Sequence, residues 1–187
     1  MSAASSAKTI KFGTDGWRGI IVDDFTFSNV CKVTRAIASY LETAYSKDRP
    51  VLVSYDTLFL ADQFARTATE VLADLGWIVK VVERNCPTPV IAYNDHHLNS
   101  AGALMFTVSH NLAPYCGIKY IPKYIPDYAG AAIRNITDTI VANIEGADDS
   151  PPVVRMGIKF IQLILNPLIY SSYTPCWMVK KITLIWV

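Results

Sequence analysis

The sequence predicts a layered α/β/α domain with a mixed, largely parallel sheet, followed by an atypical apolar C-terminal tail. Three observations lead there. Short apolar runs rich in β-branched residues alternate with longer stretches whose apolar residues recur every three to four positions. The links between them are short, as in domains whose strands are joined by helical crossovers. The composition, 51% hydrophobic over 187 residues, suits one packed domain and is too apolar for a disordered chain.

Residues 9–12 read as a short strand leading into a glycine-rich run, Gly13-Thr14-Asp15-Gly16-Trp17-Arg18-Gly19. Thr26 or Ser28 can then cap a helix in which Val30, Val33, Ile37, Tyr40, Leu41 and Ala44 share one face. Arg49-Pro50 closes the connection to a strand at Val51–Tyr55. Asp56 or Thr57 caps a second helix, with Phe64, Ala68, Val71, Leu72 and Leu75 inward and Gly76 as its stop. Residues 77–82 give a third strand, Pro87-Thr88-Pro89 a turn, and a short helix runs on to about Leu98. Residues 101–105 read as a buried strand and 117–121 as another, before a last helix from about Asn135 that carries Ile136, Ile140, Val141 and Ile144. Tyr-Ile-Pro occurs at 120–122 and again at 124–126, which reads as a local duplication lengthening a loop.

Charge and cysteine usage exclude several functions. The net charge of +1 gives no nucleic-acid surface, and the four cysteines, 31, 86, 116 and 176, have neither zinc spacing nor a disulfide framework. Residues 1–8 are small and polar, an N-terminal arm expected to be disordered and not a secretory signal, so the expected location is cytoplasmic.

The chemistry is carried by two stretches. Ser109-His110-Asn111 follows the apolar strand at 101–105, and strand ends are where open α/β sheets bind ligands. Lys119 lies ten positions on, close enough to return to the serine across a turn. In the earlier stretch, closely spaced glycines let backbone approach an anion, and Arg18 offers a planar fork of donors suited to phosphate.

Together, Gly13-Thr14-Asp15-Gly16-Trp17-Arg18-Gly19 and Thr107-Val108-Ser109-His110-Asn111-Leu112 resemble the α-D-phosphohexomutase family, which includes phosphoglucomutase and phosphomannomutase. Tyr55-Asp56-Thr57, Pro87-Thr88-Pro89, Asp127-Tyr128-Ala129-Gly130 and Ile136-Thr137-Asp138 extend the likeness over roughly residues 9–146, the family's domain I. The resemblance implies that Ser109 carries a phosphoryl group, that Lys119 assists proton transfer, and that Arg18 faces phosphate. His110 would orient the phosphate or a sugar hydroxyl, and Gly13, Thr14, Asp15, Gly16 and Asn111 would line the binding loop. It also implies a hexose phosphate substrate, a hexose bisphosphate activator and Mg²⁺ held through the phosphate on Ser109. The aspartate-rich loop that completes the family's metal site is absent from this chain, as are the later sugar-binding segments. Four positions depart from the family pattern: Leu58 for arginine, Val108 for alanine, Leu112 for proline and Cys116 for asparagine.

Residues 147–187 are expected to be a linker and a tail outside the family. Residues 155–187 hold four basic residues and no acidic one, leaving 13 basic against 16 acidic elsewhere, a balance of −3. Residues 160–179 are uncharged and long enough to span a bilayer, but Gln162, Asn166, Pro167 and Pro175 dilute them. A membrane anchor is therefore the weaker expectation, and a truncated gene with altered downstream coding sequence the stronger. Such a domain is expected to lack turnover until the missing mutase domains are supplied. The alternative is a non-catalytic phosphosugar-binding remnant.

Overall fold

The computed structural model describes residues 10–14, 16–123 and 132–153, and the backbone of 159–165 and 179–186. Strands β1 (Trp17–Ile20), β2 (Val51–Tyr55), β3 (Val79–Val82), β4 (Gly102–Phe106) and β5 (Tyr115–Pro122) form the mixed sheet. Helices α1 (Phe27–Ala44), α2 (Ala61–Asp74), α3 (Thr88–His97) and α4 (Arg134–Gly146) flank it. The strand order is β1-β5-β4-β2-β3, extended by the backbone of β6 (Lys159–Leu165) and β7 (Val179–Trp186). Strands β4, β2, β3 and β6 run parallel, while β5 is antiparallel to both β4 and β1, and β7 to β6.

Strand alternation builds the layers. Val51, Val53, Leu104 and Phe106 belong to the larger core with α1, α2 and α4. Leu52, Ala103, Met105 and Ile121 join Val90 and Ile91 of α3 in the smaller core on the opposite face. In α1, Thr26 is the N-cap and its Oγ1 accepts the Asn29 N–H at 3.2 Å, while Val30, Val33, Ile37 and Leu41 are buried. Trp17 stacks on Phe25 at 4.6 Å, and Phe25 meets Phe64 of α2 edge-on at 4.8 Å, which fastens β1 to the helical layer.

The structure moves several expected boundaries. Residues 10–12 are not a strand, and the glycine run leads into β1, which takes up its last three residues, instead of following a strand. The alternation of buried Trp17 and Gly19 with exposed Arg18 supplies the sheet edge there. Helix α2 begins at Ala61, because the Asp56 carboxylate accepts the Leu58 N–H at 3.0 Å in a turn and Leu60 adopts φ +60°. Strand β3 starts at Val79, two residues late. The first Tyr-Ile-Pro lies in β5 and not in a loop: Tyr120 is 1% exposed and its hydroxyl donates to the Ala101 carbonyl at 3.1 Å. Gly102 makes room for that ring, since a Cβ there, at φ +140°, would lie 2.6 Å from the Tyr120 hydroxyl. The second Tyr-Ile-Pro, Asp127-Tyr128-Ala129-Gly130, the N-terminal arm and Cys176 lie outside the described residues.

After α4 the chain is tied back onto α1. The Arg35 Nη1 donates to the carbonyls of Asp148 at 3.2 Å and Ser150 at 2.8 Å, and the Ser28 hydroxyl donates to the Asp149 carboxylate at 2.9 Å. Cys31 is buried close to this tie, with Arg35, Asp148 and Asp149 acting on its thiol. Among the described residues, Cys31, Cys86 and Cys116 are free and buried, and no helix is long and apolar enough to cross a membrane.

Candidate functional site

Strand β4 ends at Phe106, and the loop that follows is fixed at both ends before it presents Ser109. The Thr107 N–H donates to the Gly117 carbonyl at 2.9 Å, and the Tyr115 N–H donates to the Leu112 carbonyl at 3.0 Å. Between them Ser109 adopts φ +58°, an uncommon conformation for a residue with a Cβ, and its N–H donates to the Thr107 Oγ1 at 3.1 Å. Ser109 and His110 are exposed, and Asn111 is half-buried.

The glycine run is a tight loop closed on itself. Gly13 and Gly16 exchange backbone hydrogen bonds at 3.0 and 2.8 Å, leaving Thr14 exposed at the turn, while Asp15 lies outside the described residues. Gly16, at φ +86°, sits so close to β5 that a Cβ would lie 2.1 Å from the Ile118 carbonyl oxygen and 2.8 Å from the Lys119 Cα. Only glycine allows that approach.

Register places the cations. Arg18 pairs with Gly117 across β1 and β5, and Lys119 pairs with Met105 across β5 and β4. Since paired residues share a face and positions 117 and 119 of one strand do too, Arg18 and Lys119 lie on the same sheet face. The Arg18 Nη1 donates to the Asn111 Oδ1 at 3.2 Å, linking the glycine run directly to the serine loop. An exposed hydroxyl thus stands in a loop bound to one cation and joined through β5 to a second. Such a group can accept a phosphoryl charge of roughly −1.5 to −2.

The metal expectation fares differently. Among the described residues no group of three or more His, Cys, Asp or Glu side chains is placed to hold a metal ion. Mg²⁺ is held by carboxylates together with phosphate oxygens, so the residues here do not fit it by themselves.

Comparison with known proteins adds the family. The family description "Phosphoglucomutase/phosphomannomutase, alpha/beta/alpha domain I" matches residues 9–150. The chain belongs to this family. Among the relatives of this phosphohexomutase domain, a phosphoglucosamine mutase of Prochlorococcus marinus is 36% identical over 164 residues, covering 87% of this chain and 33% of the relative. A phosphoglucosamine/phosphogalactosamine mutase of Sulfurisphaera tokodaii is 34% identical over 113 residues, covering 60% of this chain and 24% of its own length. A solved structure described as a putative phosphomannomutase, from Thermus thermophilus, superposes with a TM-score of 0.70 at 32% identity, over 80% of this chain and 33% of that one. This phosphohexomutase domain therefore spans about a third of the length of the first of these relatives and of that solved structure.

The four departures from the family pattern have different surroundings, and Val108 is buried at the base of the serine loop. Cys116 is fully buried opposite Gly19 in the β1–β5 pairing, and burial pushes its thiol up to about 12. Leu58 is half-buried against the larger core. Leu112 is 75% exposed on the serine loop itself. Two residues with a part in the site were not singled out from the sequence: Thr107, whose hydroxyl holds the Ser109 amide, and Gly117, where a Cβ would lie 2.6 Å from the Thr107 carbonyl oxygen. Both lie within the matched residues 9–150, but the role of Gly117 depends on cross-strand register and that of Thr107 on the local turn at Ser109.

Proposed function

We propose that this chain is the serine-bearing domain of a phosphohexomutase, an intramolecular phosphotransferase of carbohydrate metabolism. The observation that carries the reading is the hydrogen bond from Arg18 to Asn111, which brings the phosphate-type loop and the serine loop to one place. Ser109 Oγ attacks the phosphorus of a hexose bisphosphate, the Oγ–P bond forms, the P–O bond to the sugar breaks, and the serine proton passes to the departing sugar oxygen. Lys119 assists that proton transfer, while Lys119 and Arg18 offset the phosphoryl charge. Thr14, Gly13, Gly16 and Asp15 line the phosphate, and His110 orients it. Reversal returns the phosphoryl group to the other end of the sugar. Magnesium would be held through the phosphate on Ser109 and would offset the charge of the transferring group, with carboxylate ligands supplied from outside this domain.

The domain reading belongs to the same proposal. Residues 9–146 are domain I, and 147–187 a linker and a tail outside the family. Sequencing the coding DNA past Asp149 tests this: an alternative frame that continues into an aspartate-rich loop supports it, and an uninterrupted short gene with no such frame counts against it. Three buried free thiols among the described residues favour a reducing, cytoplasmic setting.

The test of function is phosphoryl uptake. Incubated with glucose 1,6-bisphosphate, the chain is expected to gain one phosphoryl mass at Ser109, and Ser109→Ala to gain none. Mutase turnover is expected only when the remaining domains of a relative are added. Uptake that persists in Ser109→Ala would remove Ser109 from its role.

A further inference from the structure

We infer that Thr107 is a positioning residue for phosphoryl transfer: its hydroxyl holds Ser109 in the left-handed turn that presents the serine hydroxyl. The inference rests on reading Ser109 as the phosphoryl acceptor. A residue with a Cβ held at positive φ is disfavoured by roughly 1–2 kcal/mol, so something in the surroundings must sustain φ +58° at Ser109. The contact that acts on the Ser109 backbone is the 3.1 Å bond from its N–H to the Thr107 Oγ1. Thr107 can bear that load because it is anchored to the sheet. Its N–H is bound to the Gly117 carbonyl, and its own carbonyl is packed against Gly117, where no Cβ could stand. Sheet register therefore passes through Thr107 into the conformation of the serine. The Arg18–Asn111 bond fixes the loop two residues further on, so Ser109 is held from both sides.

The test compares wild type, Thr107→Ser and Thr107→Val. Serine keeps the acceptor oxygen, whereas valine keeps the shape and the strand preference and removes it. Amide hydrogen exchange at Ser109 is expected to be unchanged in Thr107→Ser and about tenfold faster in Thr107→Val. Phosphoryl uptake from glucose 1,6-bisphosphate is expected to follow the same order, near wild type in Thr107→Ser and at least about tenfold slower in Thr107→Val. Unchanged exchange at Ser109 in Thr107→Val overturns the inference whatever the uptake result. Equal uptake by wild type and Thr107→Val overturns it as well. If wild type takes up no phosphoryl group, the reading of Ser109 as acceptor fails in this chain, and the exchange result alone decides whether Thr107 holds Ser109.

Discussion

The Arg18 guanidinium donates to the Asn111 side-chain oxygen at 3.2 Å, and this bond joins residues 93 positions apart. It ties the first strand to the loop that carries Ser109, so the spacing of cation and hydroxyl depends on the β1–β5 pairing and not on local sequence. The bond is exposed, which limits its worth to stability to about 1 kcal/mol or less. Its value lies in geometry.

Replacing that guanidinium tests the point. Arg18→Lys keeps the charge and loses the planar fork. Its urea midpoint is expected to stay near wild type, while phosphoryl uptake at Ser109 slows about tenfold or more. A rate equal to wild type in an intact-mass time course would show that charge alone suffices.

Gly16 and Gly13 lie at opposite extremes of crowding within the same loop. At Gly16 a methyl group meets the Ile118 carbonyl at 2.1 Å with φ at +86°, whereas at Gly13 nothing lies within 4 Å. Gly16→Ala is expected to lose about 3 kcal/mol or more in urea unfolding, and Gly13→Ala less than about 1.

Val22 stands at φ +77° with 80% of its surface exposed, so its β-branched side chain gains little burial for the strain it bears. Asparagine tolerates this conformation far better. Val22→Asn is expected to raise stability by about 1 kcal/mol, read from the urea midpoint.

The tie between α1 and residues 148–150 gives a chemical readout. Burial raises the Cys31 thiol, and Arg35 opposes that shift as a nearby cation and hydrogen-bond partner. Arg35→Ala removes the donor to the Asp148 and Ser150 carbonyls and also the cation that favours the Cys31 thiolate, so Cys31 is expected to react with a thiol reagent more slowly at about pH 8. Cys86 and Cys116, on other elements, are expected to keep their rates and serve as internal references.

Alkaline pH should loosen the fold. Burial raises Cys116 from 9.0 to about 12 and Tyr40 from 10.0 to about 12. The folded state therefore holds both protons more strongly than the unfolded chain does. The resulting stability is full below pH 9 and is lost as pH rises toward 12, with a limiting slope of about 1.4 kcal/mol per unit for a fully buried group and less for half-exposed Tyr40. Urea midpoints measured from pH 8 to 11 should fall, and Cys116→Ala should flatten the first part of that fall.

Much of the fold is legible because it is locally encoded. Val51–Tyr55 and the core strand ending at Phe106 declare themselves as short apolar runs and the face of α1 by its periodicity, and Thr26 is one of the two caps expected. Strand β1 is not legible in this way, since Ile10 and Phe12 make the more strand-like apolar pattern while Trp17–Ile20 becomes a strand through pairing with β5. The site divides along the same line. Ser109, Arg18 and Lys119 are visible as residue types in motifs, but that Arg18 and Lys119 share a face follows from antiparallel register. The support of Ser109 by Thr107 follows from a dihedral angle that no spacing announces.

The pairing of β1 with β5 also fixes an order of events on the ribosome. Arg18 leaves the exit tunnel 93 residues ahead of Asn111, and at synthesis rates of about 5–20 residues per second it waits roughly 5 to 20 seconds for that partner. Through that interval the nascent glycine loop has no sheet edge to lie against. The strand made first is therefore completed only when β5 follows the serine loop out of the tunnel.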